Sequence, residues 1–511
     1  MIRDTAYEDF RRAAAAGESL PVVREFTADT LTPVVAFAAI QRPPFGFLFE
    51  SLVGGERWAR YTFLGTEPSK VWRYRGGAAE CWTAEDGWRA AEHAPDPVAH
   101  IAAQVRPRQI RRVHGLPRFL GGAVGCLAYD AVRAFERLPG GPTDDLRMPD
   151  AVFMMAETVL IFDNAFGRAM AVTTTPPPER DPAAVRRAYD VAVDRLEHLR
   201  ARLTHPPALA PLALATPPRP ATTSPYPPER FLQGVRDLKA HIAAGDIFQA
   251  VLARRLDVPC AAPPLQVYRA LRTLNPAPYL YHLTLDDTTI VGSSPEVLVR
   301  LDDGIVTVRP IAGTRPRGET ADDDRALAEA LRADPKELAE HAMLVDLGRN
   351  DVGRVAAFGS VRVTADRHLE RYSHVQHLVS EVRGDLGPGR DAEHVLRACF
   401  PAGTVTGAPK LRAMELLDGL EPTRRGAYAG AVGYLGWGAT AMDTAIAIRT
   451  AVLRHGTAHV QAGAGIVADS DPEREFAETE HKASGVLAAL ALAGSRPPPA
   501  GGIFPARETQ P

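Results

Sequence analysis

With 511 residues, 45% apolar and 24% charged, the chain has an ordinary globular composition and length for two domains, or one large domain with a substantial partner. A net charge of −3 excludes recruitment of nucleic acid or an anionic membrane by bulk charge. No apolar run approaches the roughly 18 residues of a spanning helix, and residues 1–12 mix both charge signs without an apolar signal core, so a cytoplasmic protein is expected.

In chain order, GFLFES (46–51), the run 119–130, the run 151–163 and RAMAVTTT (168–175) read as strands, and a charged helix is expected over 181–204. Residues 206–228 are Pro-rich; proline fixes φ and supplies no donor, so this stretch reads as an extended linker. It separates an N-terminal domain, 1–205, from a second domain, 229–494, with a Pro/Gly-rich disordered tail over 495–511. In the second part Phe231, Val235, Leu238 and Ile242 make one helix face, which Gly245 ends. IFQAVLARR (247–255) reads as a strand, and residues 297–310 as a hairpin turning at Asp303-Gly304. A helix is expected to start at Pro335, strands to cover 442–450 and 459–467, and a last helix to cover 472–492. So many successive strands without an intervening helix predict an α+β fold with large, mostly antiparallel sheets.

Cys81, Cys126, Cys260 and Cys399 are widely spread, with no CxxC pair and no zinc spacing, and read as buried reduced thiols. Two Glu-x-x-Glu pairs, Glu337/Glu340 and Glu475/Glu478, each place both carboxylates on one helix face. A solvated face accounts for either pair alone. Were the helices to meet, the four carboxylates would repel unless a cation or proton neutralised them, and oxygen-rich sites suit Mg²⁺. Gly-rich loops at 310–318, 401–410 and 462–466 permit close backbone approach to a ligand, with Lys410, Arg449 and Lys482 as nearby cations. Each loop alone also fits a tight turn. His374 and His377 are candidate general acids or bases, or structural histidines.

The runs PIAGTRPRG, EHAMLVDLGRNDVGRV, FPAGTVTGAPKLRAMELL, GAYAGAVGYLGW, AIAIRTAV and QAGAGIVADSDPEREFAETEHKA together resemble the chorismate-utilising enzymes. That family includes the anthranilate, aminodeoxychorismate, isochorismate and salicylate synthases. The resemblance is dense over 225–490 and thinner before it. It implies a large α/β sandwich holding chorismate and Mg²⁺. By resemblance, Glu340 and Glu478 are the metal ligands, with Glu337 and Glu475 acting beside them, through water. Glu296, in GSSPEVL, matches the acid that protonates the departing C4 hydroxyl, a poor leaving group unaided. His377 matches the histidine of pyruvate elimination. Thr404, Tyr434, Arg449, Gly463, Gly465 and Lys482 match positions around the substrate; packing is the alternative for Thr404 and Tyr434.

Local features choose within the family. Gln249 stands where water-using relatives carry a lysine base, which disfavours water as nucleophile. Ala312 stands where many aminodeoxychorismate synthases carry a lysine, which favours ammonia attack and anthranilate as product. FESLVGGERWARYTFLG resembles a tryptophan-binding segment of feedback-inhibited members, with Glu50 and Ser51 in the site and Pro278, Tyr279 and Leu280 as its far wall. There, an acidic residue suits a free α-amine and an apolar wall an indole. Capping and core roles are the alternatives for Glu50 and Tyr279. His481 and Gln376 depart from the residues common in the family, without removing an implied catalytic group. No cysteine has a Gly-flanked nucleophile setting, so a separate glutamine amidotransferase subunit, or free ammonium, is expected to supply ammonia. The expected reaction turns chorismate and ammonia into anthranilate and pyruvate. The alternatives are aminodeoxychorismate formation and a non-catalytic regulatory paralogue.

Overall fold

The structure is a computed structural model and describes residues 4–52, 60–176, 181–212, 218–371 and 375–495; the side chains of Thr314 and Val375 are not described. His374, residues 213–217 of the expected linker and the tail from 496 lie outside the described residues, as do 53–59 of the tryptophan-segment resemblance. The apolar runs fold into two large sheets, of eleven and twelve strands among the described residues. The pairings that build the centre are antiparallel.

Each sheet draws strands from both sides of the Pro-rich stretch. In the first, Phe45–Glu50 pairs with Tyr279–Leu285, placing Glu50 opposite Leu280. In the second, Gly122–Leu127 pairs with Ala431–Gly436, placing Val124 opposite Tyr434. The 206–228 boundary is therefore a break in composition, not a break between sheets: segments 1–205 and 229–494 build one sandwich. Prolines interrupt a strand wherever they fall, but say nothing of which strands pair across them.

Phe45, Phe47, Tyr281 and Ile290 of the first sheet meet Val124, Cys126, Met154 and Val432 of the second in one buried cluster. On the outer face of the first sheet, Val486, Leu487 and Leu490 of the helix Pro472–Gly494 pack with Leu280, Val291 and Leu453. The strand Thr288–Ser294 is thus covered on both faces and buried throughout, which is why it reads without polar alternation.

Several runs that read as single strands change sheets midway. Residues 151–163 divide into Ala151–Ala156 in the second sheet and Thr158–Asp163 in the first. The expected strand 442–450 divides into Met442–Ile446 in the second and Thr450–Arg454 in the first, with Arg449 at φ 53° in the connection. Thr288–Ser294 of the first sheet is followed, through Pro295 and Glu296, by Val297–Asp302 of the second. The run 119–130 is a strand only over Gly122–Leu127, followed by a 3-10 turn, Tyr129–Ala134. The hairpin turns as expected: Asp303 and Gly304 both have positive φ, 52° and 70°, the geometry of a type I′ turn.

Two helices matter most for the site. Pro335–Gly353 starts from Asp334, whose carboxylate accepts from Lys336 N at 3.0 Å and Glu337 N at 3.3 Å. Pro472–Gly494 starts from Asp471, which accepts from Arg474 N at 3.0 Å. Among the described residues no helix is long and apolar enough to cross a membrane.

Candidate active site

A cavity of about 510 Å³ opens beside the sheet crossings at Glu296 and Arg449. All three Gly-rich loops reach it, through Ala312 and Gly313, through Thr404, and through Gly463 and Gly465. The two helices bring Glu337 and Glu340, and Glu475 and Glu478, to the same cavity. Gln249, Glu296, His377, Arg449 and Lys482 complete the set.

Gln249 opens the buried strand Gln249–Pro259, which pairs with Thr457–Ile466. A side chain at Gly465 would place its Cβ 2.6 Å from Gln249 Nε2. At Gly463 it would meet the Tyr428 hydroxyl at 2.8 Å. Both glycines therefore exist to let these two polar groups lie against the backbone.

Glu296 is 8% exposed. Burial disfavours its charged form and pushes the carboxyl up to about 8, with Thr404 and then Lys482 opposing the rise. Thr404 Oγ1 faces it without completing a hydrogen bond of ordinary geometry. Glu296 is thus a neutral acid at pH 7. His377, on the strand Val375–Asp385, is pushed down by burial and by Arg449, while its contact with Gly313 O at 3.4 Å opposes this. Burial thus favours the neutral imidazole. Arg449 donates to Lys482 O at 2.7 Å. Lys482 Nζ bonds Glu478 at 2.6 Å and donates to Gly463 O at 3.0 Å.

The four glutamates differ in their partners. Glu337 pairs with Arg315 at 3.1 Å and Glu478 with Lys482. Burial and then Glu337 raise Glu340; burial raises Glu475, with Glu478 adding to it against a Ser470 hydrogen bond. Carboxylates that raise one another call for a cation, and their oxygens are the hard donors Mg²⁺ prefers. Among the described residues no three His, Cys, Asp or Glu groups stand together as a complete metal cage.

Residues 55–488 match the family described as chorismate binding enzyme. The chain belongs to that family. It is 45% identical over 495 residues to anthranilate synthase component 1 of Pseudomonas putida, covering 95% of this chain and 98% of that one. Among solved structures it is similar to anthranilate synthase component I from Streptococcus pneumoniae TIGR4, with TM-score 0.74, 34% identity, and 90% and 99% of the two chains covered. The isochorismate synthase MenF from Escherichia coli, 21% identical with TM-score 0.67 over 95% of this chain and 99% of that one, shares the fold.

Within this family member, a second cavity of about 400 Å³ lies across the sandwich. It gathers all five residues of the resemblance to a tryptophan site: Glu50, Ser51, Pro278, Tyr279 and Leu280. Glu50 is 5% exposed, accepts from Tyr268 OH at 2.5 Å and pairs with Arg272 at 2.9 Å. Tyr434 lines this second cavity instead of the first, stacked on Phe119 with ring centroids 4.1 Å apart. The tyrosine of the active cavity is Tyr428, pushed up to about 12 by burial. Both lie in GAYAGAVGYLGW; Ala429 takes a positive φ of 62° between them, so strand alternation cannot relate their faces. Lys410 turns away to Asp351, at 3.0 Å from both oxygens, and does not line the active cavity among the described residues.

Proposed function

We propose that this enzyme converts chorismate and ammonia to anthranilate and pyruvate, a step of tryptophan biosynthesis. The observation that carries the reading is one cavity holding a buried acid, two glutamate pairs and an amide, Gln249, at the position where the resemblance puts the lysine base of water-using relatives. The relatives named anthranilate synthase component 1 support the same choice.

Arg449 and Lys482 supply positive charge for the substrate's carboxylates. Gln249 can orient the nucleophile but cannot deprotonate water, whereas neutral ammonia needs no base to attack C2. Glu296 gives its proton to the C4 oxygen, so that water and not hydroxide departs. His377, held neutral, is placed for proton transfer as pyruvate is eliminated and the ring becomes aromatic. Glu340 and Glu478, with Glu337 and Glu475 beside them, would hold a bound Mg²⁺, which would supply Lewis-acid chemistry by withdrawing electron density from the substrate's ring.

All four thiols are raised by burial, so none is poised as a glutaminase nucleophile. In this reading a glutamine amidotransferase subunit, or free ammonium, supplies the ammonia. The second cavity combines the rings of Tyr61, Phe63, Tyr279 and Tyr434 with Arg118, Arg300, Asp302 and Asp443. That lining suits an aromatic zwitterion, and we assign it tryptophan as feedback inhibitor. The reaction is tested by incubating the protein with chorismate, Mg²⁺ and ammonium and following anthranilate fluorescence. Accumulation of aminodeoxychorismate without anthranilate sinks the reading.

A further inference from the structure

A small cavity of about 40 Å³ adjoins the active cavity and shares Glu296 and Thr404 with it. Its walls are mostly apolar, including Leu298, Leu344, Leu347 and Ile446. Two features mark it as polar at its ends. Thr404 Oγ1 is buried without a hydrogen bond of ordinary geometry. Asp351 also lines the cavity and pairs with Lys410 at 3.0 Å. Asp351 follows Glu340 by eleven residues on the helix Pro335–Gly353, about 16 Å along its axis at 1.5 Å per residue, so it is no part of the glutamate cluster. A water needs about 10–15 Å³ of such space and two or more polar partners. The cavity therefore has room for at least one.

We propose that this cavity is a water site serving the general acid: it receives the water formed from the C4 hydroxyl and returns a proton to Glu296, with Asp351 as the carboxylate at its far wall. The proposal rests on the reaction proposed above. In that reaction the C4–O bond breaks with its electron pair going to oxygen, and the Glu296 proton joins that oxygen. Water and a Glu296 carboxylate result. The carboxylate regains a proton from solvent, relayed through the cavity water, and the surplus proton of the new C2 ammonium passes to solvent. Chorismate and ammonia thus give the aminated ring and water with no net change in protons.

The charged surroundings are consistent with this role. Lys482 faces Glu296 from the last helix; Lys410 and Arg354 face Asp351, beside the Cys399 thiol, and Arg309 lines the cavity wall. Burial raises the Asp351 carboxyl as it raises that of Glu296, against both cations.

A high-resolution crystal structure of the wild-type protein is the direct test. An ordered water within hydrogen-bond distance of Thr404 Oγ1 and Glu296 is expected, and a dry cavity overturns the proposal. In solution, Asp351→Asn should lower kcat about tenfold and enlarge the solvent isotope effect on kcat, with KM for chorismate within about twofold of wild type. An unchanged kcat and isotope effect overturn it. So does a loss confined to Tm and KM, which would mark Asp351 as a brace for Lys410 only. Failure of the wild type to make anthranilate would instead sink the reaction, and the crystallographic water is sought without turnover.

Discussion

Burial raises the Glu296 carboxyl to about 8 from an ordinary 4.5, and this single displacement sets two pH dependences. The acid form donates the proton, so turnover should hold below that value and fall as pH rises through about 8. Stability follows the same sign. A carboxyl raised in the folded state contributes fully below its unfolded value of 4.5 and loses that contribution as pH rises through about 8. Glu296→Gln removes the proton but keeps the shape; turnover should drop by about 10²–10⁴-fold and lose the alkaline limb. A variant retaining wild-type turnover would remove Glu296 from the mechanism. With Glu478 as a proposed metal ligand, Glu478→Gln would withdraw one carboxylate oxygen from the site, so the Mg²⁺ concentration for half-maximal rate should rise and turnover fall severely. Wild-type rates at low Mg²⁺ would refute that ligand assignment. The glutamate pairs were legible as spacing alone, because three residues along a helix fix a shared face. Their convergence was not, because nothing in either helix states which helix it meets. Tyr428 escaped notice for a local reason: the positive φ at Ala429 breaks the alternation by which the faces of Tyr428 and Tyr434 could be compared.

The elements explain how two cavities on one sandwich can communicate. The strand Val297–Asp302 begins beside Glu296 of the active cavity and ends with Arg300 and Asp302 in the second. The strand Met442–Ile446 carries Asp443 in the second cavity and donates from Ile446 N to Glu296 O at 3.0 Å. Asp443 accepts from Tyr279 OH at 2.9 Å and pairs with Arg300. These two strands give the triad a continuous backbone connection to the acid. Ser51→Phe fills part of the second cavity, so tryptophan inhibition should weaken by more than about tenfold. Ammonia-dependent turnover should persist, since Ser51 does not line the active cavity. Unchanged inhibition in a tryptophan titration would mean that the effector binds elsewhere. Individual strands and the Asp303-Gly304 turn were readable from β-rich runs and turn chemistry. The changes of sheet at Glu157 and 447–449 were not, because the apolar composition is the same on either side of each crossing.

At the scale of the whole molecule, the Pro-rich stretch suggests two separable domains, while the strand order makes the two segments mutually dependent. Removing residues 1–205 would strip Phe45–Glu50 from Tyr279–Leu285 and Gly122–Leu127 from Ala431–Gly436. Strands now paired on both sides would become open edges, and Tyr281, Ile290 and Val432 would face water. Each large apolar side chain so exposed costs about 1.5–3 kcal/mol, against a net stability of about 5–15 kcal/mol for a typical domain. A few such exposures exhaust that margin. A fragment of residues 229–494 should therefore lack a cooperative thermal transition and bind a hydrophobic dye, although it contains every residue lining the active cavity. A fragment that melts cooperatively and turns over chorismate would show that the second segment holds its own core. Otherwise the catalytic groups depend for their placement on strands that bear none of them, and a change in the first segment can reach the second cavity and the acid through shared sheets without touching substrate.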